Sequence, residues 1–474
     1  MEIQTFVTLG LGDNSFLVGS GDEAVLVDPQ RDAWRFTEHA ERRGWRIRHV
    51  LETHVHNDYV SGALEVRAST GAQIVVAAGS GPFGFDHRLI EPGDEIRIGD
   101  IRLVPRAAPG HTFQHIAWEL WIPDSASAPA AVFTGGSLLV GSVGRTDLLG
   151  EQSADELARA QYRTVRELAL LPDAVQILPT HGAGSFCVAS VPSAQRTSTI
   201  GEERQGNAGL NARDEDSFVR EQTGALGRYP AYYPRMAPIN RAGPASLGHV
   251  PLISQLDVGA VERAAAAGAW IVDGRDRTAF ADAHIPGSIN IELNESFASY
   301  VGWTIPFDAP IVLILPEPIS ETGPEAAVQL FRIGRGGVAG QLAGGIDAWT
   351  AANRAIRAYP TASMKDLFQT VRRGDSVAVL DVRQPAEWRD DGVLPGCRTI
   401  FVADLLARMA ELPRDQELWV VCSSGHRAAI ATSLLDRDDI PVRLVARGGP
   451  IGWVERFDRL AAIAAIAASP AIGA

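Results

Sequence analysis

One of the three cysteines in this 474-residue chain opens a loop whose spacing suggests nucleophilic chemistry. Residues 417–421, ELWVV, predict a short buried strand, and the apolar stretch from Ala428 predicts a helix. The loop between them reads Cys422, Ser423, Ser424, Gly425, His426, Arg427. Backbone N–H groups in such a loop point inward, with the positive end of the helix dipole behind them. The sequence therefore predicts an anion cradle in which the thiolate of Cys422 is stabilised as a nucleophile.

The other residues of this loop fit substrate binding. Small side chains let the backbone approach a ligand, and the planar guanidinium of Arg427 suits an oxyanion. A buried, inert thiol is the alternative for Cys422, and a surface ion pair is the alternative for Arg427. We expect Cys422 and Arg427 to be catalytic. We expect the intervening residues to bind substrate: Ser423, Ser424, Gly425 and His426.

Histidines at predicted strand ends form a second candidate site. A predicted strand over residues 47–52 runs into His54, His56 and Asp58, which alternate along the chain. His111 and His181 also follow predicted strands, each beside a glycine. Several neutral imidazoles at strand ends can converge on one zinc or iron ion. The pattern favours a metal site over histidines that only satisfy the core.

Strands and helices that could position these residues are visible in the periodicity. Residues 5–28 predict a meander of short strands, residues 116–122 predict another strand, and helices are expected over residues 33–43 and 154–171. Residues 206–248 lack periodicity and are rich in Pro, Gly and Tyr. We expect a connector packed on a domain surface, because a solvated linker has little use for clustered tyrosines.

The remainder of the chain repeats itself. IVDGRD at 271–276 matches VLDVR at 379–383 with an offset of 108, and Gly344 before Trp349 matches Gly448 before Trp453. Two tandem α/β units, each with a mostly parallel sheet, explain this pattern. The first copy has no cysteine, and Pro316, which follows its strand at 311–315, is expected to stand where Cys422 stands in the second copy. The first copy therefore cannot form a persulfide.

The second repeat resembles a rhodanese domain. The resemblance rests on the sequences DVR at 381–383, PAEW at 385–388, LPG at 394–396, the Cys422 to Arg427 loop, and Gly448 to Trp453. The four residues between Cys422 and Arg427 favour sulfur transfer over phosphate-ester hydrolysis, since similar phosphatases carry five. The resemblance implies a persulfide on Cys422 that a thiol or cyanide then attacks.

The N-terminal 205 residues resemble the metallo-β-lactamase fold. GRTD at 144–147, PTHGAGS at 179–185 and STIG at 198–201 are similar to its persulfide-dioxygenase branch, whose members can be fused to rhodanese domains. The resemblance implies an iron site that includes His54 and His111 and places Arg145 near a thiol substrate.

Two positions depart from that family pattern. The usual His-x-His-x-Asp-His ends in Tyr59, and Gly136 stands where a carboxylate is expected. Without that carboxylate a 2-His-1-carboxylate iron site is broken. His54, His56 and His111 could still hold one metal ion, iron or zinc, with Asp58 and His181 as a weak second site or as supporting partners. Unless Gly136 needs a positive φ, Gly136→Asp should tighten metal binding.

Charge, cysteine content and the first residues indicate which partners and which cellular compartment to expect. Lys+Arg 43 against Asp+Glu 57 gives a net charge of −14, so neither nucleic acid nor an anionic membrane is an expected partner. Three cysteines exclude a disulfide framework, and the first residues do not resemble a signal peptide. We expect a cytoplasmic protein, and the sequence leaves a homo-oligomer open. Residues 460–468 predict a terminal amphipathic helix.

These observations predict an α/β protein, with an αββα metallo-β-lactamase-like domain (1–205), the connector (206–248), and two rhodanese-like domains with parallel sheets (249–357 and 358–474). We expect metal-dependent persulfide oxidation coupled to sulfur transfer through Cys422, with a persulfide or thiosulfate as donor and a thiol as acceptor. In the alternatives, the N-terminal domain is an inert scaffold or a thioester hydrolase that uses metal-bound hydroxide.

Overall fold

The computed structural model describes residues 1–124, 127–189, 194–249 and 251–460, and the chain divides into two compact units. The first unit comprises Met1–Pro251 and Ala327–Arg335, and the second comprises Leu252–Ala326 and Gly336–Ala474. Of the helix expected at 460–468, only residue 460 lies within the described residues. In the described part of the chain, no helix is long and apolar enough to cross a membrane.

The first unit contains short strands and helices in mixed order. Its strands are β1 (Glu2–Thr8), β2 (Asp13–Ser20), β3 (Glu23–Val27), β4 (Arg46–Leu51), β5 (Gln73–Ala77), β6 (Arg88–Ile90), β7 (Ile96–Ile98), β8 (Ile101–Ala107), β9 (Ile116–Trp121), β10 (Ala131–Gly135), β11 (Leu138–Leu139), β12 (Ser142–Val143), β13 (Gln176–Pro179) and β14 (Ser198–Thr199). Its helices are α1 (Trp34–Arg43), α2 (Ala63–Thr70), α3 (Glu151–Leu168), α4 (Ile200–Gly206), α5 (Glu215–Ala225) and α6 (Tyr233–Ala242).

Two sheets pack face to face in this unit. One has the strand order β1-β2-β3-β4-β5-β6 and the other β14-β13-β10-β9-β8-β7. Apolar side chains from both sheets, including Phe16 and Trp118, share one buried core. Phe36 of α1 packs in a second core behind the first sheet, and Val165 of α3 packs in a third behind the other sheet. The predicted αββα sandwich is confirmed.

The candidate metal ligands follow strands that end at one edge. β8 and β10 are both antiparallel to β9, and β10 is parallel to β13, so β8, β10 and β13 run in the same direction. Their carboxyl ends therefore lie at the same edge of the sheet. His111 follows β8, Gly136 follows β10 and His181 follows β13, while His54 follows β4 of the facing sheet.

The connector is more ordered than its sequence indicates. It contains α5 and α6, which the aperiodic sequence did not predict. Asp214 caps α5 by accepting a hydrogen bond from the Ser217 N–H at 2.7 Å. Tyr232 and Tyr233 are buried, as expected from their clustering. Tertiary burial, which local periodicity does not encode, stabilises these helices.

The second unit contains two similar α/β repeats. The elements of the first are β15 (Gln255–Leu256), α7 (Val258–Ala266), β16 (Trp270–Asp273), α8 (Arg277–Asp282), β17 (Ile289–Asn290), α9 (Phe297–Thr304), β18 (Ile311–Ile314), α10 (Ile319–Arg332), β19 (Val338–Leu342) and α11 (Gly345–Ala351). The end of α10, from Ala327, belongs to the first unit. Those of the second are β20 (Thr361–Ser363), α12 (Met364–Arg372), β21 (Ala378–Asp381), α13 (Pro385–Asp391), β22 (Arg398–Thr399), α14 (Leu405–Arg408), β23 (Leu418–Val421), α15 (His426–Arg437) and β24 (Val442–Arg447), with 3₁₀ turns at Val402–Asp404 and Met409–Glu411.

Each repeat has one parallel sheet with the same connectivity. The strand orders are β15-β19-β18-β16-β17 and β20-β24-β23-β21-β22, and the strand pairs in both are parallel. The predicted internal repeat and its parallel sheets are confirmed. The carboxyl end of β23, a central strand, delivers Cys422 to the start of α15.

Candidate functional site

The Cys422 loop forms the cradle that its spacing predicts. The Gly425 N–H donates to Cys422 Sγ at 3.1 Å, and the Ala428 N–H lies 3.4 Å from the same sulfur. Gly425 has a φ of 97°, a left-handed conformation that glycine adopts without strain. Both amides belong to the start of α15, so the helix dipole and these donors stabilise negative charge on the sulfur.

Arg427 is bound within the protein. Its Nη2 donates to Glu387 Oε1 at 2.7 Å and to Ser423 Oγ at 3.0 Å, while its Nη1 donates to Glu387 Oε2. Although burial raises the pKa of Glu387, the pairing with Arg427 lowers it to about 2. The guanidinium therefore fixes the loop against α13, and direct contact between Arg427 and an oxyanion stays a prediction.

The remaining loop residues lie around the cradle. The Ser423 hydroxyl donates to Glu387 Oε1 at 2.6 Å, and the Ser424 carbonyl faces away from the sulfur toward Arg277. Burial, reinforced by two nearby arginines, lowers the pKa of His426 to about 4, so its imidazole is neutral near pH 7. A Cβ on Gly449 would overlap the backbone of Ser423, which explains a glycine at this position.

The sheet register identifies the residue that replaces Cys422 in the first repeat. Asp381 lies opposite Val421 in one sheet, as Asp273 lies opposite Ile314 in the other, so Leu315 corresponds to Cys422. Pro318 then corresponds to Gly425 and carries no N–H to donate. Sequence reasoning placed the equivalent position one residue later, at Pro316. The conclusion that this repeat cannot form a persulfide is unchanged, because its loop contains no thiol.

In the first unit, three buried imidazoles face one another. Ligand atoms of His54, His111 and His181 all lie within 4.8 Å of one another. Nδ1 of His111 donates to the Arg145 carbonyl at 2.8 Å, and Nδ1 of His181 donates to Asp13 Oδ1 at 2.8 Å. No hydrogen-bond partner among the described residues reaches the buried Nε2 atoms of these three histidines.

His54 is oriented in the same way through a chain of hydroxyl and carboxylate groups. Thr53 Oγ1 donates to Asp28 Oδ2 at 2.7 Å, so it accepts from Nδ1 of His54 at 2.9 Å. Asp28, which has a positive φ of 49°, also accepts from the Thr53 N–H at 2.7 Å and from Thr180 Oγ1. One carboxylate thus links the ends of β3, β4 and β13.

His56 and Asp58 complete the predicted set from the other side. Nε2 of His56 lies 3.1 Å from Glu52 Oε2 and 3.0 Å from the Tyr59 hydroxyl, and its buried Nδ1 has no partner among the residues described. Ligand atoms of His56, Asp58 and His181 form a second group within 4.8 Å, and those of Asp28, Glu52 and His56 form a third. The structure thus brings all five predicted ligands into one buried cluster, in which His181 belongs to both the first and the second group.

The connector supports this cluster. Nδ2 of Asn240, in α6, donates to the carbonyls of His56 and Tyr59 at 3.0 and 2.9 Å. The Tyr232 hydroxyl donates to the Asp58 carbonyl at 3.1 Å. Both side chains therefore fix the loop that carries two of the candidate ligands.

Burial and neighbouring charges shift the pKa values of these histidines in opposite directions. Burial lowers the pKa of His54 and of His111 well below the usual value, which favours the neutral, metal-binding form. Burial also opposes protonation of His181, but Asp58 and Asp13 raise its pKa to about 9. The pKa of His56 is likewise raised despite burial, by Asp28 and Glu52. A cation at this cluster would meet carboxylates as well as imidazoles.

The geometry at Gly136 contradicts the expectation that aspartate would fit there. A Cβ at this position would overlap Cδ2 of His111 and lie 2.7 Å from its Cγ and Nε2. Gly135, not Gly136, has the positive φ, at 54°. The Gly136 N–H donates to Nε2 of His115 at 2.9 Å. Imidazoles therefore occupy the space around residue 136 that a carboxylate would need.

Arg145 is a buried residue whose donors are largely used. It forms a two-bond pair with Asp147 at 2.7 and 2.8 Å and donates to the carbonyls of Phe186 and Gly227 at 2.9 and 2.8 Å. Its guanidinium also lies 4.7 Å from the centroid of the Tyr229 ring. This arrangement favours a structural role, and contact with a thiol substrate stays a prediction.

Four residues of the cluster were missed by sequence reasoning: Asp13, Asp28, Glu52 and His115. Asp28 ends the apolar run EAVLVD, and Glu52 ends the strand before His54, so position at a strand end could have indicated both. Asp13 and His115 carry no comparable local signal, since their contacts with His181 and Gly136 join distant parts of the chain.

Comparison with known proteins agrees with this geometry. The family model described as the metallo-β-lactamase superfamily matches residues 9–181, and that of the rhodanese-like domain matches residues 257–352 and 363–454. Human mitochondrial persulfide dioxygenase ETHE1 is 33% identical over 211 residues, which cover 44% of this chain and 74% of that protein. The chain belongs to the metallo-β-lactamase superfamily. It also carries two rhodanese-like domains.

Other relatives have different described activities. A hydroxyacylglutathione hydrolase of Methylococcus capsulatus is 34% identical over 213 residues, covering 44% of this chain and 72% of that protein. The crystal structure of a metallo-β-lactamase from Staphylococcus aureus is 28% identical with a TM-score of 0.65, covering 72% of this chain and 98% of that one. A persulfide dioxygenase and a hydroxyacylglutathione hydrolase are thus both among the proteins similar to this chain.

Proposed function

We propose that this chain is a sulfurtransferase that transfers sulfane sulfur through a persulfide on Cys422. The observation that carries the proposal is the pair of amides, Gly425 N–H and Ala428 N–H, directed at Cys422 Sγ. Amide donors at the start of a helix stabilise both the attacking thiolate and the terminal sulfur of the persulfide that replaces it. A reducing compartment such as the cytoplasm would keep the thiol free.

The transfer needs no net redox change. The Cys422 thiolate attacks the outer sulfur of a persulfide or thiosulfate, the S–S bond of the donor breaks, and a thiolate or sulfite leaves with the bonding electrons. An acceptor thiolate then attacks the outer sulfur of the Cys422 persulfide. The new persulfide departs and the Cys422 thiolate is regenerated.

The test compares Cys422→Ser with Cys397→Ser. Serine is a weak nucleophile at neutral pH and forms no persulfide, so Cys422→Ser should abolish sulfur transfer from thiosulfate or an alkyl persulfide to cyanide. Cys397 is a free cysteine in the same repeat, and burial raises its pKa to about 11, so its replacement should leave transfer unchanged. Retained transfer in Cys422→Ser would contradict the proposal.

For the first unit we propose a metal site that acts on the same class of substrate. Orphaned buried ligand atoms fit a metal ion: Nε2 of His54, His111 and His181, and Nδ1 of His56. Asp58 would contribute a carboxylate oxygen. Bound iron would activate dioxygen for persulfide oxidation, and bound zinc would instead activate water for thioester hydrolysis. The protein orients the imidazoles through Asp13, Thr53 and the Arg145 carbonyl.

The similarity to persulfide dioxygenase and the presence of a sulfurtransferase site on the same chain favour oxidation. The Cys422 site would then supply or consume the persulfide substrate. The experiment measures metal content after iron or zinc loading, then oxygen uptake with an alkyl persulfide and anaerobic hydrolysis of a thioester. His111→Ala should lose most of the metal, while His249→Ala, which alters an exposed histidine of the same unit, should retain it. Equal metal content in His111→Ala and the wild type would refute the site, and hydrolysis without oxygen uptake would favour the zinc alternative.

A further inference from the structure

The repeat without a cysteine reaches the Cys422 loop through an arginine. Nη1 of Arg277, the first residue of α8, donates to the Ser424 carbonyl at 2.7 Å. The carbonyl of Ser424 and the N–H of Gly425 belong to one peptide unit, and that N–H donates to Cys422 Sγ at 3.1 Å. In a trans peptide these two groups point in opposite directions. A donor that holds the Ser424 carbonyl on the side of the loop away from the sulfur therefore also orients the Gly425 N–H toward the sulfur.

Arg277 is itself held rigidly. Its Nε and Nη2 donate to the two carboxylate oxygens of Glu292 at 3.0 and 2.7 Å, and its own backbone N–H donates to Glu292 Oε1 at 2.9 Å. Such a two-bond pair fixes the plane of the guanidinium and leaves Nη1 directed at the loop. The third nitrogen of Arg277 is thus available for the Ser424 carbonyl at little further entropic cost.

The loop is shaped to accept this arginine. A Cβ on Gly425 would overlap the carbonyl oxygen of Ala446 and would also lie 2.5 Å from Nη1 of Arg277, so glycine accommodates both neighbours as well as the φ of 97°. Tyr300 of α9, also in the first repeat, contacts His426 with ring centroids 4.9 Å apart at 80°. The residue that begins the corresponding helix of the second repeat is Pro385. The arginine is therefore a feature of the first repeat alone.

We propose that Arg277 is a positioning residue for the Cys422 nucleophile, and that the repeat without a cysteine forms part of the sulfurtransferase site. The inference rests on the proposed function of Cys422. A charged donor on the carbonyl polarises the peptide and strengthens its N–H as a donor to the thiolate. Arg277 does not touch the sulfur, so its effect is transmitted through one peptide unit.

Several charged or titratable groups surround the loop and would influence the same thiolate. They include Arg427, Glu387, His426, Tyr300 and Glu292. The variants therefore change Arg277 or its partner and leave the groups on the second repeat in place. Arg354, an exposed arginine of the first repeat paired with Glu262, provides a control that removes the same charge away from the loop.

The experiment measures the rate at which iodoacetamide alkylates Cys422, from pH 5 to 10, by mass spectrometry of the peptide that contains it. Arg277→Ala should raise the pH midpoint of alkylation by about 0.5–1 unit, which lowers the rate below the midpoint by about 3- to 10-fold. Arg277→Lys should recover part of this shift because it keeps one charged donor. Arg354→Ala should match the wild type. A looser loop would instead change the rate equally at every pH.

An unchanged midpoint in folded Arg277→Ala overturns the proposal. If circular dichroism shows that Arg277→Ala does not fold, the same measurement is made on Glu292→Gln and Arg277→Lys. Unchanged pH midpoints of alkylation in both of these variants overturn the proposal. Alkylation is independent of sulfur transfer. A wild type without transferase activity that still shows the Arg277 shift would refute the proposed function and leave the positioning role standing.

Discussion

The substitution Gly136→Asp tests whether the proposed metal site uses imidazoles around residue 136 or has a vacant position for a carboxylate ligand there. A Cβ at residue 136 would lie 2.7 Å from Cγ and Nε2 of His111, whereas carbon atoms in contact are normally about 3.5–4.0 Å apart. The His111 ring must therefore retreat by about 1 Å. That movement disturbs the 2.8 Å hydrogen bond from Nδ1 to the Arg145 carbonyl and turns Nε2 away from His54 and His181.

The expected cost follows from these contacts. Overpacking a buried position costs about 1–3 kcal/mol, and loss of one hydrogen bond adds about 1 kcal/mol. For a domain of this size, about 2–4 kcal/mol corresponds to a fall of roughly 4–16 °C in the melting temperature. Gly136→Ala should show most of this effect because the clash begins at Cβ. Both variants should retain less metal than the wild type after loading.

The assay combines thermal unfolding with metal content after iron or zinc loading and desalting. Gly224→Ala is a matched control because it also adds a Cβ to a glycine, here within α5, and that Cβ has no neighbouring atom within 4 Å. A Gly136→Asp protein that melts with the wild type and binds iron more tightly would refute the reasoning. In that case the position would be a vacant ligand site, as the sequence pattern alone suggested.

Three further predictions address other buried groups. Arg145→Met should destabilise the first unit by about 3–5 kcal/mol in thermal unfolding, because the change breaks a buried ion pair. Pairing with Arg427 lowers the pKa of Glu387 to about 2, so the pair stabilises the folded protein fully above the ordinary pKa of 4.5 and is lost as the pH falls toward 2. In urea unfolding, the higher stability of the wild type relative to Glu387→Gln should therefore disappear between pH 4.5 and pH 2. Leu315→Cys should acquire no persulfide with thiosulfate by mass spectrometry, because Pro318 lacks the N–H that Gly425 supplies.

The fold and the Cys422 loop were predictable because their signals are local. Apolar periodicity and the repeat offset predicted two repeated α/β units with parallel sheets, and the resemblance to the metallo-β-lactamase fold predicted the sandwich. The order of Cys, small residues and Gly before a helix is also enough to predict the cradle, since the amides that contact the sulfur lie within six residues of it. The helices α5 and α6 were missed because burial, of Phe218 in α5 and of Tyr233 and Met236 in α6, stabilises them rather than periodicity.

Contacts between distant segments account for the other differences. The pairing of the Arg427 guanidinium with Glu387, 40 residues away, was not predicted, and the expected contact of Arg427 with an oxyanion stays a prediction. Arg277 and Ser424 are 147 residues apart, and no spacing within either repeat indicates that they meet. The strand register was likewise needed to show that Leu315, and not Pro316, is the position in the first repeat that corresponds to Cys422. A strand boundary predicted from hydrophobicity alone is uncertain by a residue or more.

The two departures from the family pattern in the first unit are physically compensated. Tyr59, where a histidine is usual, is buried and places its hydroxyl 3.0 Å from Nε2 of His56 and 3.3 Å from the Asp28 carbonyl. Gly136 leaves space for His111, and its N–H is satisfied by His115. Simple loss of a site would leave cavities and unpaired groups at the altered positions, at a cost of a few kcal/mol each. The altered positions are instead packed and hydrogen-bonded, while the buried atoms without a hydrogen-bond partner among the described residues include Nε2 of His54, His111 and His181. Buried polar atoms without partners are costly unless a ligand satisfies them, so this pattern favours an imidazole-rich metal centre over an inert scaffold.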